Sequence, residues 1–252
     1  GFRFSKSMGQ NFLIADWVPR EIAKASGAHP DVGVLEIGPG IGCLTRELAG
    51  RAGKVVSVEL DRSLLPILEE TLAGRDNVEI VPGDILKLDI RQTTLEMPWL
   101  SGFAACANLP YNITTPAITA LIEAQCFFAI TVMIQKEVAQ RICAQPGSKD
   151  YGAFSVYCQY YTAPELLFEV PPDCFIPAPK VTSAVVRMTH RPAPAEVDDP
   201  DHFFRVVRAA FALRRKTLLN SLSANLGGQH TKEELSAAIQ ACGLPDSIRG
   251  ER

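Results

Sequence analysis

No run of apolar residues in the 252-residue chain is long enough to span a membrane, and no secretory signal stands at its start. Nor does the chain have the makings of a disulfide framework or a zinc site. Its cysteines number seven, an odd count, and no Cys-x-x-Cys occurs among Cys43, Cys106, Cys126, Cys143, Cys158, Cys174 and Cys242. Most lie in apolar runs and read as reduced, buried, small hydrophobes of a cytosolic-type compartment. Positive charge is also short. The net charge is −3, so nothing draws the whole chain towards nucleic acid, and any such surface has to be local. What remains is ordinary globular material, 47% hydrophobic and 21% charged, enough for one large domain or one with a small appendage.

The most informative stretch is Val34-Leu35-Glu36-Ile37-Gly38-Pro39-Gly40-Ile41-Gly42. A short apolar run reads as a buried strand, three glycines at alternate positions as the turn leaving it, and Cys43–Ala49 as a helix. Strand, glycine turn and helix make the nucleotide-holding corner of a doubly wound α/β fold. Glycine lets a ligand approach backbone that a Cβ would obstruct. The same glycines could merely shape a βα turn, so the rest of the chain has to decide.

Lys54–Asp61 reads as a second strand ending in acid. A carboxylate at that tip, Glu59, is placed to accept hydrogen bonds from a ribose diol. A helix over about Ser63–Leu72 and a third strand with its exit loop over Val78–Leu86 follow, with Asp84 again acidic at a strand end. Gly38, Glu59 and Asp84 would line one crevice, where open parallel sheets bind ligands.

The fourth strand, Phe103–Ala107, runs into Asn108-Leu109-Pro110-Tyr111-Asn112. Hydride chemistry has no use for that sequence, whereas a planar amine does. The Asn108 side-chain carbonyl and the Leu109 backbone carbonyl can accept from an exocyclic NH₂. Pro110 fixes the turn without competing as a donor, and Tyr111 offers a face for a base.

Before these strands, Asp16 is expected to cap a helix to about Ala25, and Phe12 and Leu13 to need burial. After them come a helix from Thr115-Pro116, a fifth strand Phe127–Gln135, a helix Lys136–Ala144, a helical or mixed segment Gly152–Tyr161, and a hairpin-like strand pair, Glu165–Val170 and Val181–Thr189. The proline-rich loop between the pair can hold Phe175 opposite Tyr111 or bury it as core. His190–Pro200 reads as a linker. Helices are expected over about Asp201–Leu213, Lys216–Asn225 and Thr231–Ala241, with a Thr231/Glu234 capping box. Arg205, Arg208, Arg214, Arg215 and Lys216 form a basic cluster in an acidic chain and read as a phosphate-contacting patch.

Taken together, Gly9–Leu13, Glu36–Gly42, Asn108–Asn112, Phe175–Val181 and Phe211–Leu218 closely resemble the ribosomal RNA small-subunit adenine N6,N6-dimethyltransferase family. The resemblance covers nearly the whole chain. It implies a Rossmann-like class I methyltransferase domain, with a seven-stranded, mostly parallel sheet, and a small all-helical C-terminal domain. The domains would be 1–190 (with 1–13 as a lid), a linker at 191–200, and 201–252 on rRNA. The chain stops at Arg252 without a finishing element, so more residues are expected beyond it. The resemblance implies S-adenosylmethionine as methyl donor, without metal, held by Asn11, Leu13, Gly38, Glu59, Asp84 and Asn108, with Gly40 and Ile85 beside them. Asn108, Leu109, Pro110, Tyr111 and Phe175 would carry the catalysis. It further implies two methylations at N6 of each of two adjacent adenines in a hairpin loop near the 3′ end of small-subunit rRNA, by a monomer that also serves subunit assembly. The expected compartment is a bacterial-type cytoplasm, or an organellar matrix if a leader has been removed.

Two other readings use the same fold. One is a large-subunit rRNA adenine dimethyltransferase conferring antibiotic resistance. The other is a non-catalytic ribosome-assembly or mitochondrial transcription factor. Phe211–Leu218 and the helical tail favour the small-subunit group, and intact Asn108–Tyr111, Glu59 and Asp84 argue against lost catalysis.

Overall fold

A computed structural model describes residues 11–95, 97–245 and 247–252. The chain divides into two compact units. The first is the chain up to Ala139 together with Ala163–Arg191, and the second is Gln140–Thr162 together with Pro192–Arg252. The last stretch of the second unit opens at Pro192, inside the expected linker at 191–200, whose Arg191 falls in the first unit. The expected 1–190 domain differs from the first unit by residues 140–162, which group with the terminal helices. Of the expected lid, residues 1–10 lie outside the described residues.

The first unit contains β1 (Phe12–Leu13), α1 (Trp17–Ala25), β2 (Val32–Ile37), α2 (Cys43–Ala49), β3 (Lys54–Glu59), α3 (Leu65–Thr71), β4 (Val78–Pro82), α4 (Ile90–Leu95), β5 (Gly102–Asn108), α5 (Thr114–Glu123) and β6 (Phe127–Gln135). The chain then runs through α6 (Lys136–Ile142) and α7 (Ala153–Tyr161) to β7 (Thr162–Val170), β8 (Phe175–Ile176) and β9 (Ser183–His190). Seven strands form one sheet in the order β4-β3-β2-β5-β6-β9-β7. β2 runs parallel to β3 and β5, β3 to β4, and β5 to β6, while β9 is antiparallel to β6. The doubly wound, mostly parallel sheet read from the sequence is therefore present.

A strand covered on both faces should be apolar, and all six residues of β2 at the sheet centre are buried, Glu36 being the one charged residue among them. On one side, Val18, Ile22, Leu44 and Leu48 from α1 and α2 pack with Val34, Val55 and Ala104. Leu64, Leu68 and Leu72 pack with Phe12 in a second cluster.

Three expectations change. Asp16 precedes α1, but its backbone is already helical and its side chain makes no capping bond. α4 had no sequence signal. The proline-rich loop is more ordered than expected, because its Phe175 and Ile176 form a two-stranded sheet with β1, Leu13 opposite Phe175 and Phe12 opposite Ile176. The side chains of Phe12 and Leu13 are both buried. All seven cysteines are free; Cys106, Cys158 and Cys174 are buried as read, whereas Cys43, Cys126 and Cys143 are only half-buried and Cys242 is exposed.

The second unit holds α7 and, after the linker, α8 (Pro200–Phe211), α9 (Leu218–Leu226) and α10 (Lys232–Ala241). Asp199 and Thr217 cap α8 and α9. The Thr231/Glu234 capping box forms as read, with the Thr231 amide 2.8 Å from a Glu234 oxygen. Phe204 on α8 meets the rings of Tyr157, Tyr160 and Tyr161 at 5.1, 5.4 and 5.7 Å. This aromatic cluster ties α7 to α8.

Candidate active site

Parallel strands end on the same side of the sheet, so the turns leaving β2, β3, β4 and β5 meet there. They enclose a cleft of about 880 Å³, its open mouth included. Asn11, Gly38, Gly40, Glu59, Asp84, Ile85 and Asn108 line it, and so do Leu109, Pro110, Tyr111 and Phe175. Of the residues expected to hold the cofactor, only Leu13 is not on this wall. It is buried beside a smaller adjoining hollow that shares Phe12, Gly38, Gly40 and Asn108 with the cleft.

The glycine turn explains the opening. Gly38, Gly40 and Gly42 all take positive φ, at 67°, 60° and 88°. L-residues resist that conformation. A Cβ on Gly38 would meet nothing within 4 Å, and the same is true of Gly83 after β4. The backbone is thus bare where it borders the cleft. The Gly38 amide donates to the Val58 carbonyl at 3.0 Å, which ties the turn to the end of β3.

Glu59 sits at that end, almost wholly buried. One carboxylate oxygen accepts the Asp61 amide at 2.7 Å and the other the Gly40 amide at 3.4 Å. Burial raises its pKa, and the two amide bonds oppose the rise. The carboxylate is therefore preset in direction while still reaching the cleft. Asp84 is similarly oriented, since it accepts the Leu86 amide at 3.0 Å.

Asn108 is the last residue of β5, and the Leu109 amide donates to the Met133 carbonyl at 3.1 Å. Among the described residues no donor bonds the Asn108 side chain or the Leu109 carbonyl, so both acceptors stay available. Pro110, with ψ of 135°, turns the chain out into a short 3-10 turn carrying Tyr111. Phe175 is core, as one of its two readings had it. It also lines the cleft.

Sequence reasoning assigned no separate role to Glu36, which lies 1% exposed inside β2. One of its oxygens accepts the hydroxyls of Thr45 at 2.7 Å and Ser57 at 2.6 Å. The other has no hydrogen-bond partner, and Glu36 borders the smaller hollow. Desolvation raises its pKa to about 7. Ile37 from the glycine motif adds an apolar wall to the cleft, and so do Val58, Leu60 and Leu64, which no motif had marked.

The five basic residues all lie in the second unit and are exposed. Arg205 and Arg208 stand on α8, and Arg214, Arg215 and Lys216 on the turn after it. Arg205 contacts the His202 ring at 2.7 Å. Arg214 donates to the Lys149 carbonyl. No group of three or more His, Cys, Asp or Glu that could hold a metal occurs among the described residues, and none of their helices is long and apolar enough to cross a membrane.

Solved structures share this architecture. One is the 23S rRNA methyltransferase ErmE, 30% identical, with a TM-score of 0.70 and 96% of each chain covered. Another is a dimethyladenosine transferase from Plasmodium falciparum, 25% identical, with a TM-score of 0.77 and coverage of 95% of this chain and 92% of that one. The fold is that of a Rossmann-like methyltransferase. More narrowly, the chain belongs to the ribosomal RNA adenine dimethylase family, whose model matches residues 1–242. Curated relatives include the ribosomal RNA small subunit methyltransferase A of Geobacillus thermodenitrificans, 49% identical over all of this chain and 87% of its own length. The protein of that name from Moorella thermoacetica is 47% identical over 98% of this chain and 87% of its own.

Proposed function

We propose that this enzyme dimethylates N6 of two adjacent adenines in a hairpin loop near the 3′ end of small-subunit rRNA, with S-adenosylmethionine as methyl donor. The observation that carries the reading is the convergence on one cleft of the glycine turn, Glu59, Asp84 and the Asn108–Tyr111 corner. Relatives at 46–49% identity are named for the small subunit, whereas the large-subunit enzyme ErmE stands at 30%, which favours the small subunit as target.

The cleft suits the cofactor. Glu59 presents a buried, preset carboxylate for a ribose diol, Asp84 an acceptor for an adenine amine, and Gly38 a backbone with open space before it. Asn11 and Gly40 would border the cofactor there, Ile85 would add an apolar wall, and Leu13 would act from the adjoining hollow. When bound, S-adenosylmethionine supplies a methyl group on a sulfonium.

The protein's own work is positioning. An adenine amine is a poor nucleophile because its lone pair is delocalised into the ring. Two acceptors, the Asn108 side-chain carbonyl and the Leu109 carbonyl, favour a more pyramidal nitrogen and orient it. Pro110 holds the turn, and Tyr111 and Phe175 give the base its apolar walls. Orientation and electrostatics then lower the barrier without a covalent enzyme intermediate. A loop adenine is already partly unpaired, so drawing it into the cleft costs less than opening a duplex.

The second unit, with Arg205, Arg208, Arg214, Arg215 and Lys216, would contact rRNA phosphates. The reading includes a monomer acting on the assembling small subunit in the cytoplasm. The test is labelled S-adenosylmethionine with unmethylated small subunits, followed by nucleoside analysis. Labelled dimethyladenosine is the expected product. Tight binding without transfer would favour a non-catalytic assembly factor instead.

A further inference from the structure

Tyr111 is held at both ends. Its backbone stands on a three-residue turn outside the sheet, and its hydroxyl lies 2.8 Å from the hydroxyl of Ser183. Ser183 is 1% exposed and opens β9, directly opposite Gln135 at the end of β6. The neighbouring Thr182 carbonyl accepts the Lys136 amide at 3.0 Å. The hydroxyl that meets the ring is thus carried by backbone pinned to the sheet. A tyrosine side chain has two principal torsions. Fixing its far end fixes the direction of the ring axis, which the turn alone would leave free.

We propose that Ser183 is a positioning residue for methyl transfer. By holding the Tyr111 hydroxyl, it sets the face against which the target adenine stacks, and so the approach of the amine to Asn108. This rests on the reading of Tyr111 as the stacking surface. Ser183 does not touch the base. It acts through the ring, and small errors of placement are costly in a reaction that depends on orientation.

The test is a double-mutant cycle on initial rates of transfer to unmethylated small subunits. Ser183→Ala should lower kcat about tenfold while the KM for S-adenosylmethionine stays within about twofold, because the cofactor walls are untouched. Ser183→Thr, which keeps a hydroxyl, should recover most of the loss. Tyr111→Phe, which breaks the same bond from the turn, should match Ser183→Ala, and the double variant should be no worse than either.

A merely structural serine would lower the melting temperature and give losses that multiply, and that result overturns the proposal. So does Tyr111→Phe at wild-type kcat, which reads the bond even where Ser183→Ala folds poorly. Tyr111→Ala separates the two levels. Undiminished transfer in that variant removes the stacking reading, and the role of Ser183 with it. Loss of transfer in Tyr111→Ala beside an unaffected Tyr111→Phe removes the role of Ser183 alone.

Discussion

Phe12 on β1 stands directly opposite Ile176 on β8, next to the pair Leu13 and Phe175. Two residues of the N-terminal region thus clamp the loop that presents Phe175 to the cleft. Phe12 packs on Leu64, Leu68 and Leu72, and its ring lies 3.7 Å from where a Cβ on Gly40 would be. Phe12→Ala should cost about 3 kcal/mol of stability, as truncating a buried aromatic does, and should weaken S-adenosylmethionine binding about tenfold. Denaturant unfolding and calorimetric titration read the two effects. Unchanged cofactor affinity would place the β1–β8 ladder outside the binding site.

Asn108 has an available side-chain amide at the end of β5, where the proposed mechanism needs an acceptor. Asn108→Ala should reduce methyl transfer by at least about 100-fold, in line with the loss of one preorganised polar group at a reacting centre. RNA affinity should change little. Transfer within a few-fold of wild type would remove Asn108 from its role.

Much of this cleft was legible in the sequence, because its parts are local. A glycine turn, an acid at a strand tip and an Asn-Leu-Pro-Tyr corner are each written in a few consecutive residues, and parallel topology brings strand ends together without further instruction. What could not be read depends on pairings between distant segments. Nothing in Phe12–Leu13 specifies Phe175–Ile176 as partner, nothing in Tyr157–Tyr161 specifies Phe204, and no motif marks the Tyr111–Ser183 bond. Glu36 was hidden differently. It sits inside the glycine motif, but its burial and its two hydroxyl partners, Thr45 and Ser57, come from α2 and β3.

Glu36 makes stability depend on pH in a definite direction. Its folded pKa is near 7 against an ordinary 4.5, chiefly through desolvation, partly offset by the Ser57 and Thr45 bonds, with a smaller rise from Glu59. The folded state then holds a proton that the unfolded state has released between about pH 4.5 and 7, so stability falls as pH rises through that window. The contribution should level off above the window at roughly 3 kcal/mol. Glu36→Gln removes the titration. Its stability relative to wild type should increase from pH 5 to pH 8 in urea unfolding. A pH-independent difference would contradict the buried, shifted carboxyl.

Arg214, Arg215 and Lys216 are exposed on the turn after α8. Replacing all three with Ala should weaken binding to small-subunit rRNA. It should also reduce the slope of log K against log salt by about 2, because each phosphate neutralised on a single strand contributes about 0.7 to that slope. An unchanged slope would put the RNA surface elsewhere.

The central claim is a target as well as a chemistry. Primer extension over both rRNAs, after incubating unmethylated small and large subunits together with the enzyme and S-adenosylmethionine, tests both, because dimethylated adenines block the copying enzyme. The account predicts new stops at two adjacent adenines near the 3′ end of the small-subunit rRNA, absent with Asn108→Ala. Stops in the large-subunit rRNA, or none in either, would contradict it.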